Sequence, residues 1–185
     1  MNNKSISRSV MLASVFALSL VGTALAADPM VGGAPMMASK TIVENASQAK
    51  NLTTLVTAVK AAGLVDTLSG PGPFTVFAPT NAAFDKLPKG TVEKLTQPDM
   101  KADLTKILTY HVVAGKIDAA EIMKGIKAGG GSYNMKTVEG GTLTAKMDGD
   151  KVALIDAKGG GALVETADVF QSNGVVHVID SVLMP

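Results

Sequence analysis

The stretch that decides the fold is residues 74–84, which read FTVFAPTNAAF. Its first half places aromatic and β-branched side chains together, as is typical of a buried strand. Pro79 interrupts a strand's hydrogen-bond ladder, and Thr80 is a favoured residue for capping the start of a helix. The stretch therefore predicts a strand that turns at the proline directly into a helix. Three phenylalanines are predicted to anchor one hydrophobic core: Phe74, Phe77 and Phe84.

The helix start at Thr80–Asn81 has two interpretations. The pair could hold a ligand, because both side chains carry hydrogen-bonding groups. The structural alternative, which we favour, is that Thr80 caps the helix and Asn81 ties the loop after Pro79 to neighbouring strands. An amide side chain can satisfy backbone groups that such a turn leaves without partners.

Two further segments share the apolar character of the first. Residues 173–185 read NGVVHVIDSVLMP, and the run from Val175 to Ile179 is apolar on both faces, which predicts a central strand. Gly174 completes an Asn-Gly turn signal before it, and Asp180 follows it with a carboxylate that could cap nearby amides. Residues 107–116 read ILTYHVVAGK and end a helix whose apolar face includes His111.

These three segments, in this order, resemble the signature segments of the fasciclin domain. The resemblance covers about Ser39 to Pro185. It implies a compact wedge of β-strands flanked by several helices, in a protein that is secreted or tethered to a membrane and acts in adhesion or matrix binding. In some members, receptor binding has been attributed to a Tyr-His pair, so the resemblance implies a partner-binding role for Tyr110 and His111.

The order of elements along the chain predicts the fold class independently. Helical spacing dominates before residue 129, and short alternating segments dominate after it. Breaks such as Gly140-Gly141 and Asp148-Gly149-Asp150 are strong hairpin signals. Helices followed by a run of strands predict an α+β domain with a mostly antiparallel sheet.

The N-terminus has the features of an export signal. Lys4 and Arg8 precede an apolar run, Val10–Val21, and a small-residue cleavage site follows at residues 24–26. We predict that residues 1–26 are a cleaved signal peptide; the alternatives are an uncleaved anchor and a buried helix. Residues 27–38 are rich in Gly, Pro and Met and predict a flexible leader, which leaves 39–185 as the domain.

Composition limits the function further. Without Lys4 and Arg8, the 17 basic residues become 15 lysines against 16 acidic residues, a net charge of −1 with no arginine. A nearly neutral protein without arginine is a poor ligand for nucleic acid. No cysteine is present for a disulfide. No other apolar run would insert stably in a membrane after cleavage, so we expect a secreted or periplasmic protein.

The histidines and methionines are the residues to consider for metal binding. His111 and His177 could share a polar or metal site, but two packed histidines with satisfied hydrogen bonds are the simpler interpretation. The methionines of the leader could bind copper, since thioethers are soft ligands. We favour an interpretation without metal or cofactor. The leader methionines are Met30, Met36 and Met37.

No pattern of nucleophile, phosphate loop or calcium loop appears in the chain, so we predict no enzymatic activity. The hypothesis is an exported, non-enzymatic binding module that acts in cell adhesion or surface association. Its partner would be an extracellular or cell-envelope protein or polysaccharide of unknown identity. The alternative hypothesis is a periplasmic carrier of a small apolar ligand or of copper, which predicts an apolar pocket or a metal site.

Overall fold

The structure is a computed structural model that describes residues 28–185. The predicted signal peptide, residues 1–26, lies outside the described residues. Across residues 28–185, no helix combines the length and the apolar character needed to cross a bilayer.

Seven α-helices occur among the described residues, and a short 3-10 turn at Pro98–Met100 precedes the sixth. The helices are α1 (Ile42–Ala46), α2 (Thr53–Ala62), α3 (Val65–Ser69), α4 (Asn81–Asp85), α5 (Thr91–Leu95), α6 (Lys101–Tyr110) and α7 (Ala119–Ala128). The strands are β1 (Met30–Val31), β2 (Ala34–Pro35), β3 (Phe74–Pro79), β4 (Val112–Ala114), β5 (Ser132–Lys136), β6 (Thr142–Asp148), β7 (Lys151–Ile155), β8 (Gly161–Gln171) and β9 (Gly174–Ile179).

Seven of these strands form one sheet in the order β4-β3-β9-β8-β7-β6-β5. All neighbours are antiparallel except β3 and β9, which are parallel. The two outer strands approach each other, because Val113 pairs with Thr137 and the Val138 N–H donates to the Val112 carbonyl at 2.7 Å. The sheet is therefore nearly closed, and the predicted α+β class with a mostly antiparallel sheet is confirmed.

Strand β9 is the buried strand that its sequence predicts. All six of its residues are buried, and β3 and β8 flank it on the two sides. Gly174 opens the strand opposite Phe74. A β-carbon at Gly174 would lie 2.0 Å from the Phe74 carbonyl oxygen, so only glycine allows this approach of the two backbones.

Within residues 28–185 the interior consists of two hydrophobic clusters, where the sequence predicted one. Successive side chains of a strand point to opposite faces. Val76 and Ala78 of β3 therefore join the cluster that contains Phe84, while Phe77 joins the cluster that contains Tyr110. Phe77 is completely buried, Phe84 is 7% exposed, and Phe74 is only partly buried at the edge of the first cluster.

The first residues of the described chain differ from the predicted flexible leader. Strands β1 and β2 form a small hairpin, and Val31 and Met36 are 4% and 2% exposed in the first hydrophobic cluster. Gly32 lies in the turn of this hairpin with a φ of +58°, a conformation that favours glycine. Its carbonyl accepts from the Lys50 N–H at 3.3 Å and so ties the hairpin to the rest of the domain. The packed unit therefore begins before residue 39, and the prediction of a separate leader over 27–38 is corrected accordingly.

Candidate functional site

The turn after Pro79 is fixed by side-chain hydrogen bonds. The Thr80 hydroxyl accepts from the Ala83 N–H at 3.2 Å and so caps α4. The Asn81 Oδ1 accepts from the Thr54 N–H at 3.0 Å, and its Nδ2 donates to the Lys50 carbonyl at 3.1 Å. Asn81 thus holds the start of α2, and not the neighbouring strands that its place in the sequence suggested. Its amide groups are engaged within the fold, which favours the structural interpretation.

His177 lies in the middle of β9 with both ring nitrogens engaged. Its Nδ1 accepts from the Asp168 N–H at 3.3 Å, so its Nε2 is the protonated nitrogen that donates to the Ile117 carbonyl at 2.9 Å. The ring stacks on Phe77 with 5.5 Å between centroids. Burial lowers the pKa of His177, which keeps the ring neutral.

His111 follows α6 and is the opposite tautomer. Its Nδ1 donates to the Ile107 carbonyl at 2.8 Å, and its Nε2 accepts from the Leu183 N–H at 3.0 Å. Burial lowers the pKa of this ring to about 4. The two histidines have no hydrogen-bond partner in common. Among residues 28–185, no group of three histidine, cysteine or acidic side chains is placed to hold a metal ion.

Tyr110 and Asp156 fix the loop between β7 and β8. The Tyr110 hydroxyl donates to the Thr142 carbonyl at 2.7 Å and accepts from the Ala157 N–H at 3.0 Å. Burial raises the pKa of this hydroxyl. The Asp156 carboxylate accepts from the N–H groups of Gly160 at 2.7 Å and Met184 at 2.9 Å. These buried groups therefore join the loop to the C-terminal segment.

The burial of Tyr110 and His111 prevents direct contact between their side chains and a binding partner. Tyr110 is completely buried and His111 is 2% exposed, so a partner could not touch either ring in the folded state. What the pair does in the structure is to position Ala157 and Leu183 through the hydrogen bonds described above. The expectation of direct binding by these two side chains, which came from the resemblance, is thus at odds with their location.

A surface groove lies beside these buried residues, and we call it the C-terminal groove. Its volume is about 360 Å³. Two residues that line the groove take part in the hydrogen bonds described above. The Ile107 carbonyl accepts from His111, and the Met184 N–H donates to Asp156. The residues that line it are Leu95, Met100, Asp103, Lys106, Ile107, Lys158, Met184 and Pro185.

Asp180 lies directly after β9 and joins two parts of the surface. Its Oδ1 accepts from the Leu163 N–H at 2.8 Å, and its Oδ2 pairs with the Lys86 ammonium at 3.1 Å. Partial burial raises the pKa of Asp180, but the hydrogen bonds from Leu163, Lys86 and Ser181 outweigh it and leave the pKa below its usual value. Asp180 thus acts as the cap that its sequence position suggested.

An apolar cavity lies between α1, α2 and β3, next to Phe77 and His111. Its enclosed volume is about 30 Å³. Binding sites for small molecules measure roughly 300–1,000 Å³, so this space would admit only one or two methyl-sized groups. The cavity gives little support to a carrier of small apolar ligands.

The copper hypothesis also finds little support in the geometry. Met36 is buried in the first hydrophobic cluster, whereas Met30 is 60% exposed and Met37 is 38% exposed. One of the three thioethers is thus occupied with core packing. The remaining two do not by themselves provide the ligand set that a copper site requires.

Tyr110→Phe tests whether the hydroxyl is the structural link described here. We expect the free energy of unfolding to fall by about 1–3 kcal/mol, because two partly buried hydrogen bonds, to the Thr142 carbonyl and from the Ala157 N–H, are lost. Urea unfolding followed by circular dichroism would measure the loss. As a control, Tyr133→Phe should change stability by less than about 0.5 kcal/mol, since Tyr133 is only partly buried and its hydroxyl has no hydrogen bond among the described residues. Equal effects of the two substitutions would contradict the structural role of Tyr110.

Comparison with known proteins identifies the family. The model of the fasciclin domain matches residues 50–185. Protein sll1483 of Synechocystis is 49% identical over 156 residues, which are 84% of this chain and 79% of that protein. The cell surface glycolipoprotein MPB83 of Mycobacterium bovis is 39% identical over 159 residues, 83% of this chain and 64% of that protein.

A solved structure is similar in fold. It is a pair of FAS1 domains from the insect cell adhesion molecule Fasciclin I, with a TM-score of 0.68 and 19% sequence identity. The match covers 79% of this chain and 51% of that chain, so the present chain spans about half of the domain pair. At this level of identity the likeness concerns the fold alone.

Proposed function

The chain belongs to the fasciclin domain family, and on that premise we propose that it is an exported, non-enzymatic binding module that attaches to a partner at the cell surface. The names of its relatives support this proposal. One relative is described as a cell surface glycolipoprotein, and a structural neighbour comes from a cell adhesion molecule. The proposed location is secreted or periplasmic, and the proposed partner is an extracellular or cell-envelope protein or polysaccharide.

The observation that carries the non-enzymatic proposal is the engagement of both histidines. A general base needs a ring nitrogen that can reach a substrate. In His111 and His177, all four nitrogens make hydrogen bonds to backbone groups. Both residues are almost completely buried, at 2% and 0% exposure. Their arrangement fits a rigid scaffold that presents a surface.

Binding to the native cell envelope tests the proposal. Fluorescently labelled protein would be incubated with envelopes of the source cells over a range of concentrations, and the retained fraction would be measured. We expect saturable retention that unlabelled protein displaces. Retention that is linear in concentration and unaffected by unlabelled protein would contradict a specific binding role.

Chemical cross-linking at half-saturation would then identify the class of partner. A cross-linked species that glycosidases reduce to the size of the labelled protein alone would indicate a polysaccharide, and one whose size they leave unchanged would indicate a protein. Turnover of an envelope component that His111→Gln abolishes would overturn the proposal in favour of catalysis.

A further inference from the structure

The C-terminal groove combines an apolar floor with a cationic rim. Five of its lining side chains are apolar and half-buried: Leu95, Met100, Ile107, Met184 and Pro185. Methionine adapts its shape to what it contacts and is common on surfaces that bind peptides. Such a floor can accept a bulky apolar side chain from a partner, because it is recessed and partly shielded from water.

Two lysines at the rim, Lys106 and Lys158, are exposed and available to a partner. Among residues 28–185 the structure contains one ion pair, Lys86 with Asp180, so neither rim lysine has a carboxylate within 4 Å. Asp103 is the one acidic side chain in the lining. These two lysines without an ion-pair partner, rather than the net charge of the groove, therefore favour carboxylates on a partner.

We propose that the C-terminal groove binds a protein segment in which an apolar side chain is flanked by carboxylates. The apolar side chain enters the floor and the carboxylates pair with Lys106 and Lys158. The proposal rests on the proposed binding function and names the chemistry of its partner. It also gives Tyr110 and His111 an indirect role in binding, as residues that position the groove.

The shape of the groove favours a protein segment over a membrane or an acidic polysaccharide. A membrane surface is recognised by clusters of four to eight basic residues or by apolar side chains that protrude into it. This groove offers two lysines, and its apolar side chains are recessed. A polysaccharide would leave the methionine and leucine floor without a matching apolar group, and the lining has no aromatic ring on which a sugar could stack.

The floor is held in place before any partner arrives. The His111 ring accepts from the Leu183 N–H, directly before Met184 in the chain, and Asp156 accepts from the Met184 N–H. Asp156 also accepts from the Lys158 N–H at 3.0 Å, which fixes the backbone that carries one rim lysine. A preformed site loses less conformational entropy on binding, so a small groove can bind measurably.

Charge reversal at the rim tests the proposal. The probe is a fluorescent dodecapeptide with two leucines flanked by glutamates. Its binding to the protein without the predicted signal peptide, residues 27–185, is measured by fluorescence anisotropy. The test variant is Lys106→Glu with Lys158→Glu. The matched control is Lys124→Glu with Lys136→Glu, which makes the same change of net charge at two exposed lysines outside the groove. Thermal melts of both variants establish that they are folded.

We expect the test variant to bind the peptide at least tenfold more weakly than the wild type, and the control variant to stay within about threefold. Replacing the leucines with alanine, or the glutamates with glutamine, should each weaken binding to the wild type by a similar factor. Equal binding by the test and control variants would overturn the proposal. So would binding of the alanine peptide as tight as that of the leucine peptide, because charge alone would then suffice.

The same variants separate this proposal from the proposed function. If the wild type binds envelopes saturably and the rim variant binds them equally well, the groove proposal fails and the binding function stands. If the wild type shows no saturable envelope binding, the binding function fails, whatever the peptide does. Polygalacturonate and vesicles containing phosphatidylglycerol are the comparison probes. Tighter, rim-dependent binding of either one would overturn the choice of a protein segment.

Discussion

Acidification from pH 6.5 to pH 4 is expected to lower the free energy of unfolding by about 3 kcal/mol through His111 alone. In the folded protein, burial depresses the pKa of His111 to about 4, whereas the unfolded chain has the ordinary value of 6.5. Between these two values the unfolded state binds a proton that the folded state does not. The contribution of His111 to the free energy of unfolding is therefore fully present above pH 6.5. It is lost progressively as the pH falls toward 4.

Urea unfolding at several pH values between 7 and 4 would measure this loss. His111→Gln is the matched variant, because its amide oxygen can still accept from the Leu183 N–H but does not titrate. We expect the stability of the variant to depend less steeply on pH than that of the wild type. A remaining slope is expected from His177, whose pKa is also lowered. Coincident slopes of wild type and variant would contradict the buried, neutral state of His111.

Phe77→Ala is the second substitution with a large expected effect, a loss of about 3–5 kcal/mol in the free energy of unfolding. Phe77 is completely buried in the second hydrophobic cluster, and its ring stacks on that of His177. The substitution removes this contact and leaves a cavity in the second hydrophobic cluster, on the face of β3 and β9, two strands in the interior of the sheet. Neighbouring side chains cannot close such a cavity without moving paired backbone.

Phe170→Ala is the control for this measurement. Phe170 is 38% exposed, and the Lys116 ammonium lies 4.7 Å from the centre of its ring. We expect this substitution to cost less than about 1 kcal/mol. Guanidinium unfolding of the two variants under the same conditions provides the comparison. If Phe77→Ala were no more destabilising than Phe170→Ala, the described packing of the second cluster would be wrong.

The buried parts of the fold could be predicted from the sequence because their patterns are local. The apolar run of residues 175–179 predicts a central strand, and β9 occupies that position. The Gly and Asp-Gly breaks after residue 129 predict the hairpins that join β5 to β8. Strand β4 could not be predicted in this way. It has three residues, it follows α6 almost directly, and it is a strand because it pairs with β3.

The environments of the candidate site residues depend on partners that a sequence does not reveal. The hydrogen-bond partners of His111 and His177 are backbone groups of Ile107, Leu183, Ile117 and Asp168. Backbone groups carry no sequence signal. Asp156 was missed for a related reason: within the sequence it reads as a strand end before a turn, and only the fold brings Met184 to it. The C-terminal groove likewise combines three segments that are distant in the chain.

The parallel pairing of β3 with β9 has a consequence for the way the chain reaches its native state. Residues 74–79 cannot complete their strand pairing until residues 174–179 have been synthesised. These residues form the last of the described strands along the chain. Contacts between such distant parts of a chain slow folding. A ribosome or a secretion pore that releases the chain from its N-terminus would thus deliver β3 and β8 before β9, the strand between them, is available. Until then β3 and β8 would lack their common neighbour, so chaperone binding and aggregation during biogenesis should depend on when residues 174–179 become available.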